Sequence, residues 1–201
     1  MNRTTIETYN KLAQDYDIET TDFWERFPRT IIDNFIKSIK GKNVLDVGCG
    51  PGRDASLLKE EGLEVVCLDA SQTMVDICAS AGLVSVLGDF NQLPFYAGSF
   101  DGVWAYTSLL HIPKPDIEIS LQEISRVLKP GGTFGLGMIE GDFEGYRESS
   151  GVNMPRWFSR YTEAELQELL EGNGFIVDYL EKFQPNSTIY LNFICTKSIE
   201  S

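Results

Sequence analysis

Residues 44–54 read Val44-Leu45-Asp46-Val47-Gly48-Cys49-Gly50-Pro51-Gly52-Arg53-Asp54, and this stretch decides the fold. It opens with the apolar pattern of a buried parallel strand. Glycines at alternate positions then break the strand, and the chain continues in a helical pattern that ends at Gly62. Glycine accepts positive φ and has no Cβ, so a ligand can come close to the backbone of such a turn. The turn also aims the free N–H groups of a helix N-terminus at that ligand.

Two classes of ligand are bound by a strand, glycine turn and helix of this kind. Dinucleotide enzymes carry G-x-G-x-x-G, which needs a third glycine where this chain has Arg53. The spacing here is G-x-G-x-G, with Asp46 two residues ahead of it. A carboxylate at that place repels a pyrophosphate but not an ammonium or a sulfonium group. The pattern resembles motif I of the class I S-adenosylmethionine (SAM) methyltransferases. On this motif alone, a glycine turn that binds no ligand remains an alternative.

Length and composition indicate one ordinary domain. The chain has 201 residues, of which 42% are hydrophobic and 23% charged. A net charge of −13 argues against nucleic acid or an anionic membrane as the main partner, because such partners need basic patches. It leaves room for a local basic patch. No apolar leader and no run of 18 apolar residues is found, so we expect a cytoplasmic protein.

Few residues of the chain are suited to metal chemistry. Cys49, Cys67, Cys78 and Cys195 form no C-x-x-C pair. Most of them lie in apolar patterns, so we interpret them as buried thiols of a reducing compartment rather than disulfides or zinc ligands. His111 is the only histidine, which rules out a histidine-rich metal site. We expect no metal.

Residues 1–40 are expected to form a helical cover. The stretch Tyr9-Asn-Lys-Leu-Ala-Gln-Asp-Tyr16-Asp17 resembles the Y-x-x-x-A-x-x-Y-D segment of many small-molecule methyltransferases, which folds over the cofactor. An amphipathic helix that packs its aromatic rings on the core is the alternative. A second helix is predicted from Pro28 to Gly41, with an apolar stripe that covers the sheet.

The second predicted strand, residues 63–68, ends at Asp69. A carboxylate there can accept both ribose hydroxyls of an adenosine; its alternative role is to cap the following helix. The third strand, residues 84–87, leads to Gly88-Asp89-Phe90, which resembles the family's adenine-binding step. An aspartate that only closes a turn is the alternative. The resemblance implies that the cofactor contacts Tyr9, Tyr16, Asp46, Gly48, Cys49, Gly50, Gly52, Asp69, Ala70, Met74, Asp89, Phe90, Ala105 and Tyr106.

The fourth strand, residues 101–105, leads to the predicted border between cofactor and acceptor. Ligands of open α/β sheets bind beyond the carboxyl ends of the strands, so residues 105–111 should lie there. His111 is the candidate general base because its ordinary pKa is near neutral. A hydrogen-bonded packing role is the alternative. The rings of Tyr9, Tyr16 and Tyr106 are proposed as walls near the sulfonium.

Residues 140–161 are expected to be an irregular lid loop on the substrate side. They contain Gly151 and several aromatic residues. Compact domains seldom keep a long irregular loop without a use. The predicted acceptor contacts are Arg147, Arg156, Trp157 and Arg160. Arginines in an acidic protein suggest a carboxylate or phosphate on the acceptor. The alternative is that these arginines pair with the acidic residues of the same loop, Glu140, Asp142, Glu144 and Glu148.

The C-terminal third completes the predicted fold. Residues 116–128 and 162–171 form helices, the latter opened by the capping box Thr162-Glu-Ala-Glu165. Further strands are predicted at residues 133–139, 175–181 and 188–196, and the last two of these form a hairpin. We therefore predict an α/β fold in one domain over residues 1–201. Its Rossmann-like, seven-stranded sheet is mostly parallel with a C-terminal antiparallel hairpin, and helices cover both faces.

The resemblance spans residues 43–196 and implies a SAM-dependent methyltransferase. Its mechanism would be an in-line displacement that carries the methyl group to a small-molecule acceptor, which the arginines suggest is anionic. A silent SAM-binding or regulatory module, a methyltransferase of macromolecules and a nicotinamide oxidoreductase are the alternatives. Neither the acceptor atom nor the oligomeric state is encoded in any motif.

Overall fold

A computed structural model describes residues 2–149, 152–185 and 187–199 of the chain. Its helices are α1 Arg3–Thr20, α2 Phe23–Arg26, α3 Thr30–Ser38, α4 Arg53–Glu60, α5 Gln72–Ser80, α6 Ile117–Val127 and α7 Glu163–Gly172. Its strands are β1 Asn43–Val47, β2 Glu64–Asp69, β3 Val84–Leu87, β4 Phe100–Tyr106, β5 Leu128–Ile139, β6 Glu144–Ser149, β7 Val152–Ser159, β8 Phe175–Phe183 and β9 Tyr190–Lys197.

Seven of these strands form one sheet in the order β3-β2-β1-β4-β5-β9-β8. β1 lies at its centre, parallel to β2 with Val44 opposite Val65 and parallel to β4 with Leu45 opposite Val103. β9 runs antiparallel between β5 and β8. The predicted mostly parallel sheet with an antiparallel C-terminal hairpin is confirmed.

Helices cover both faces of this sheet, as predicted. On one face α3, α4 and α5 bury residues such as Phe35, Leu58 and Cys78 against the sheet. On the other face α6 and α7 bury residues such as Ile124 and Leu170. The strand order reverses at β1 and β4, and the carboxyl ends of these strands are where a parallel sheet binds ligands. No helix within the described residues is both long enough and apolar enough to span a membrane.

The prediction of an irregular loop at residues 140–161 is wrong. This segment forms a separate two-stranded sheet of β6 and β7, with Tyr146 opposite Trp157 and their rings edge to face at 5.2 Å. Such cross-strand aromatic pairs stabilise a hairpin. The glycines of the segment suggested a loop, and Gly151 itself lies outside the described residues.

The hairpin is held against α1 by two buried threonines. The Thr8 hydroxyl donates to the Pro155 carbonyl at 2.8 Å, and the Trp157 N–H donates to the Thr5 hydroxyl at 2.9 Å. The sequence pattern placed apolar residues on this face of α1, whereas polar side chains make the contact. The predicted second helix is also shorter than expected: α3 begins at Thr30, and the separate turn α2 precedes it.

Candidate functional site

The glycine turn is drawn tightly across the end of β2. The N–H groups of Gly48 and Cys49 donate to the Leu68 carbonyl at 2.7 and 3.1 Å. Gly48 has φ +73°, and a Cβ there would collide with the Cβ of Ser108. Gly50 has φ +54°, and a Cβ there would point toward the Tyr16 ring at 3.8 Å. The turn therefore depends on glycine for its close approach to β4 and for its backbone conformation.

A cleft of about 600 Å³, here called the inner cleft, lies above this turn, and residues of α1 form part of its lining. It brings together eleven of the predicted cofactor and catalytic residues: Tyr9, Tyr16, Asp46, Gly48, Cys49, Gly50, Asp69, Met74, Phe90, Tyr106 and His111. Predicted residues that do not line it are Gly52, Ala70, Asp89 and Ala105. Residues that the sequence reasoning missed are Thr20, Pro51, Arg53, Asp54, Thr107 and Ser108.

Asp46 presents a carboxylate to the inner cleft. Its side chain is 2% exposed, and within the described residues its Oδ2 atom has no hydrogen-bond partner. Burial raises the pKa of Asp46 well above its usual range, and the nearby Asp54 carboxylate adds to the shift. A buried carboxylate oxygen without a donor is costly. An ammonium group in the cleft would satisfy it, so the residues present fit a ligand with a cationic amino-acid end.

Asp69 connects the glycine turn to α5. Its Oδ2 accepts from the Gly50 N–H at 3.0 Å, and its Oδ1 accepts from the Ser71 N–H at 2.8 Å. Ser71 itself caps α5 through its hydroxyl, which accepts from the Met74 N–H. Burial raises the pKa of Asp69 to about 6, against the opposing effect of these N–H donors. Each carboxylate oxygen keeps a lone pair that can accept from a ligand hydroxyl in the cleft.

Arg53 and Asp54 form a buried anchor that the sequence reasoning did not identify. Arg53 Nε donates to Asp54 Oδ1 at 2.6 Å, and the indole N–H groups of Trp24 and Trp104 donate to the same carboxylate at 2.7 and 2.9 Å. The guanidinium also lies 4.5 Å from the centre of the Phe23 ring. Burial alone would raise the pKa of Asp54, but Arg53 and the two indoles lower it. The anchor ties α2, α4 and β4 together beneath the inner cleft.

Thr107 follows β4 and has a φ of +54°. Within the described chain, it is the one residue other than glycine that has a positive φ. A β-branched side chain is unfavourable in this conformation, at a cost on the order of 1–3 kcal/mol. Its N–H donates to the Gly137 carbonyl at 2.8 Å, which holds it in place. Strain of this kind concentrates at functional sites. Only the backbone geometry reveals Thr107, because threonine is common in many other settings.

His111 lies in a chain of hydrogen bonds at the wall of the inner cleft. Its Nδ1 is 2.6 Å from the Trp157 carbonyl, which can only accept, so Nδ1 carries the proton. Nε2 then accepts from the Tyr9 hydroxyl at 2.8 Å, and Arg156 Nη1 donates to that hydroxyl at 2.9 Å. Burial lowers the pKa of His111 to about 3, and Arg156 contributes in the same direction. The imidazole is therefore neutral at rest and acts as a hydrogen-bond acceptor toward Tyr9.

A second cleft, here called the outer cleft, adjoins the inner one. Its volume is about 1210 Å³, and Tyr9, Tyr16 and Arg53 are among the residues that line both. Its walls also contain Arg147, Arg156 and Arg160, together with the single acidic residue Glu148. Trp157 lines neither cleft; its contribution is the carbonyl that contacts His111.

For Arg147 and Arg160, the alternative of pairing with an acidic residue of their own segment finds no support within the described residues. Glu140 pairs with Lys182 at 2.7 Å, and Glu144 accepts from the Lys114 N–H at 2.7 Å. Across residues 2–149, 152–185 and 187–199, neither Arg147 nor Arg160 has an ion pair. Burial lowers the pKa of Arg160, and repulsion from Arg147 contributes to that shift. The outer cleft is thus a local positive site in an acidic protein.

Comparisons with known proteins agree with this geometry. Residues 45–136 match the model of a methyltransferase domain. A demethylmenaquinone methyltransferase from Symbiobacterium thermophilum is 33% identical over 147 residues, which cover 64% of this chain and 56% of the relative. The mouse tRNA (carboxymethyluridine(34)-5-O)-methyltransferase ALKBH8 is 30% identical over 128 residues, which cover 63% of this chain and 18% of the relative. The chain thus spans about half of the length of these curated relatives, or less.

A likeness in structure extends over nearly the whole chain. The solved structure of DhpI with S-adenosylhomocysteine (SAH) superposes with a TM-score of 0.79 at 20% identity and covers 98% of this chain and 99% of that one. At this identity the likeness supports the fold. The sequence matches, the sheet order and the inner cleft with its buried carboxylate all point to one family. Residues 45–136 match a methyltransferase domain, and the chain as a whole has the fold of SAM-dependent methyltransferases of known structure.

Proposed function

We propose that this protein transfers the methyl group of SAM to a small molecule that carries an anionic group. The observation that supports it is the pair of adjoining clefts. The inner cleft presents the unpartnered carboxylate of Asp46, and the outer cleft presents Arg147, Arg156 and Arg160. A cationic cofactor and an anionic acceptor would therefore meet at the shared wall of Tyr9 and Tyr16.

The inner cleft holds the cofactor in this proposal. Asp46 and the backbone of residues 48–52 take the methionine end, and Asp69 accepts the ribose hydroxyls. Met74 and Phe90, both buried against the inner cleft, flank the adenine. Asp89 and Ala70 keep their proposed roles at the adenine edge, although neither lines the inner cleft. When bound, SAM supplies a methyl group that its sulfonium already activates.

The protein contributes orientation and exclusion of water. The aromatic rings of Tyr9 and Tyr16 lie edge to face at 5.4 Å, and Tyr106 lies across the same cleft. Such rings attract a cation through their faces. They also close the inner cleft toward solvent. Holding an acceptor in line with the methyl group in this way can supply about 7–11 kcal/mol of the barrier.

His111 is the proposed general base for acceptors that must lose a proton. Tyr9 belongs to the shared wall and donates to His111 Nε2, so a proton from the acceptor would pass to the Tyr9 oxygen while the Tyr9 proton passes to that nitrogen. The low pKa of His111 opposes this step before transfer. The role therefore applies to acceptors such as hydroxyl groups, and an acceptor that is already a nucleophile needs no base.

The anionic end of the acceptor is assigned to Arg147 and Arg160. Both line the outer cleft without an ion pair in the described chain, whereas Arg156 already donates to Tyr9. Guanidinium groups bind carboxylates and phosphates through two parallel hydrogen bonds. SAH-loaded protein should bind benzoate more weakly by roughly tenfold in Arg147→Gln/Arg160→Gln than in Arg3→Gln, an exposed control on α1. Equal affinities would remove this assignment.

The relatives name more than one kind of acceptor. One acts on a quinone precursor and one on tRNA. The net charge of −13 supports a small molecule over RNA. A silent SAM-binding module is the alternative of another class, because cofactor contacts alone do not distinguish binding from turnover.

Calorimetric titration of SAH tests the cofactor assignment. We expect micromolar binding to the wild-type protein and binding weaker by roughly tenfold or more to Asp69→Ala, with both proteins folded by circular dichroism. NAD serves as the competing ligand. Binding of NAD without binding of SAH would overturn the proposal and favour a nicotinamide enzyme. Release of SAH from SAM when candidate acceptors are added separates an active enzyme from a silent module.

A further inference from the structure

Three of the four cysteines meet directly behind the glycine turn. Cys49 belongs to the turn, Cys67 to β2 and Cys78 to α5, and their Sγ atoms all lie within 4.8 Å of one another. The Cys49 and Cys78 sulfurs are 3.7 Å apart. All are free, buried thiols, and we call them the thiol triad. The interpretation of these residues as buried thiols without a ligand role did not consider this cluster, because only the fold brings the three separate elements together.

The geometry of the thiol triad suits a single ion. Two sulfurs that bind one zinc ion at about 2.3 Å lie about 3.8 Å apart at the tetrahedral angle. The observed 3.7 Å between Cys49 and Cys78 matches that edge. Sulfur donors select soft cations over magnesium or calcium. The Gly50 carbonyl lies 3.5 and 3.3 Å from the same two sulfurs and adds an oxygen beside them.

The surroundings of the thiol triad favour a cation and offer a route to it. Asp46 lies opposite Cys67 in the sheet, and its carboxylate acts electrostatically on Cys49 and Cys67. Asp69 likewise acts on Cys49. Negatively charged groups close to a site stabilise a cation bound there. Cys49 also lines the inner cleft, so an ion can reach the triad from there.

We propose that Cys49, Cys67 and Cys78 bind one soft divalent cation of the zinc and cadmium type. The metal–sulfur bonds replace thiol S–H bonds, and the displaced protons pass to solvent. No electron transfer takes place. Occupation of this site needs neither SAM nor an acceptor, and the site shares Cys49 with the wall of the inner cleft.

Cadmium titration under anaerobic, cofactor-free conditions tests this site. We expect one Cd²⁺ per chain, the ultraviolet absorption of a cadmium–thiolate complex and proton release. Cys67→Ala and Cys78→Ala should lose affinity by roughly 100-fold or more. Cys195→Ala is the matched control. Cys195 is an equally buried thiol, but it lies in β9 and packs in the core on the side of α6 and α7, so its replacement should leave the cadmium affinity unchanged.

A second measurement needs no variant. The ¹¹³Cd resonance of the loaded wild-type protein reports how many sulfurs bind the ion, and three are expected. A resonance typical of oxygen ligands would overturn the proposal, as would equal cadmium affinity in the Cys67→Ala and wild-type proteins. SAH binding by the metal-free protein is measured in parallel, so failure of the metal site and failure of the cofactor site remain distinguishable.

Discussion

Asp69 makes cofactor binding depend on pH. Its pKa is about 6 in the cofactor-free protein because the carboxyl is buried. Ribose hydroxyl donors favour the ionised form, so bound cofactor lowers this pKa. The affinity for SAH should therefore fall by about tenfold between pH 7 and pH 5, as calorimetry at both values would show. Asp69→Ala should lose that part of the pH dependence; an unchanged slope in this variant would contradict the assignment.

The same carboxyl also affects the stability of the cofactor-free protein. Its folded pKa lies above the unfolded value of 3.8, so the folded state binds the proton more tightly. The stabilisation is therefore present at low pH and is lost as the pH rises between about 4 and 6. Urea unfolding of the wild-type protein and of Asp69→Asn at pH 4 and pH 7 separates this effect from other groups, because the variant has no carboxyl to titrate at this position.

Asp54 is the residue on which the anchor beneath the inner cleft depends. Asp54→Ala leaves Arg53 and two indole N–H groups without their acceptor. Breaking a buried pair of this kind costs about 3–5 kcal/mol, measurable as a lower urea midpoint. Asp22→Ala is the matched control, because the Asp22–Arg26 pair at 2.9 Å is about half exposed and should cost less than about 1 kcal/mol. Similar losses in both variants would contradict the anchor.

Helix α1 and the β6–β7 hairpin are the elements that close the two clefts. They are joined by hydrogen bonds from buried threonines rather than by apolar packing alone. Each bond that is removed leaves a buried backbone group unpaired, at a cost of about 1–3 kcal/mol. We call α1 and the β6–β7 hairpin the roof of the site. The contact between them therefore depends on a few polar interactions.

Thr5→Val/Thr8→Val should loosen this roof while the central sheet stays intact. Amides of β7 should exchange with deuterium faster by roughly tenfold or more, whereas those of β1 and β4 should not change. Thr4→Val serves as the control, because Thr5 and Thr8 make the hydrogen bonds described between α1 and β7. Uniformly faster exchange across the sheet would mean that the threonines support the whole fold instead.

The whole molecule carries a net charge of −13, and four of its 17 lysine and arginine residues line the outer cleft. An extended polyanion must neutralise many phosphates at once, which this surface does not support. We expect no binding of bulk tRNA at physiological salt in an electrophoretic shift assay, with a basic tRNA-binding protein as the positive control. A salt-dependent complex that Arg147→Gln weakens would contradict a small-molecule acceptor.

Much of the molecule could be predicted from local patterns alone. Strand β1, the glycine turn, the acidic residue at the end of β2 and the terminal hairpin all follow from apolar periodicity and from the conformational freedom of glycine. These signals are contained in neighbouring residues, so they survive without tertiary information. They sufficed for the chain order of the strands of the seven-stranded sheet, for the fold class and for most of the residues that line the inner cleft.

Contacts between distant segments were decided only by the tertiary structure. Asp54 meets Trp104, His111 meets the Trp157 carbonyl, and three cysteines converge behind the turn. Strands β6 and β7 likewise pair with each other, and α1 supplies hydrogen bonds to the backbone of β7. Each of these depends on a partner that sequence spacing does not indicate. The sequence by itself determined the parallel core and its cofactor turn, whereas packing between remote elements determined the roof, the anchor and the surroundings of His111.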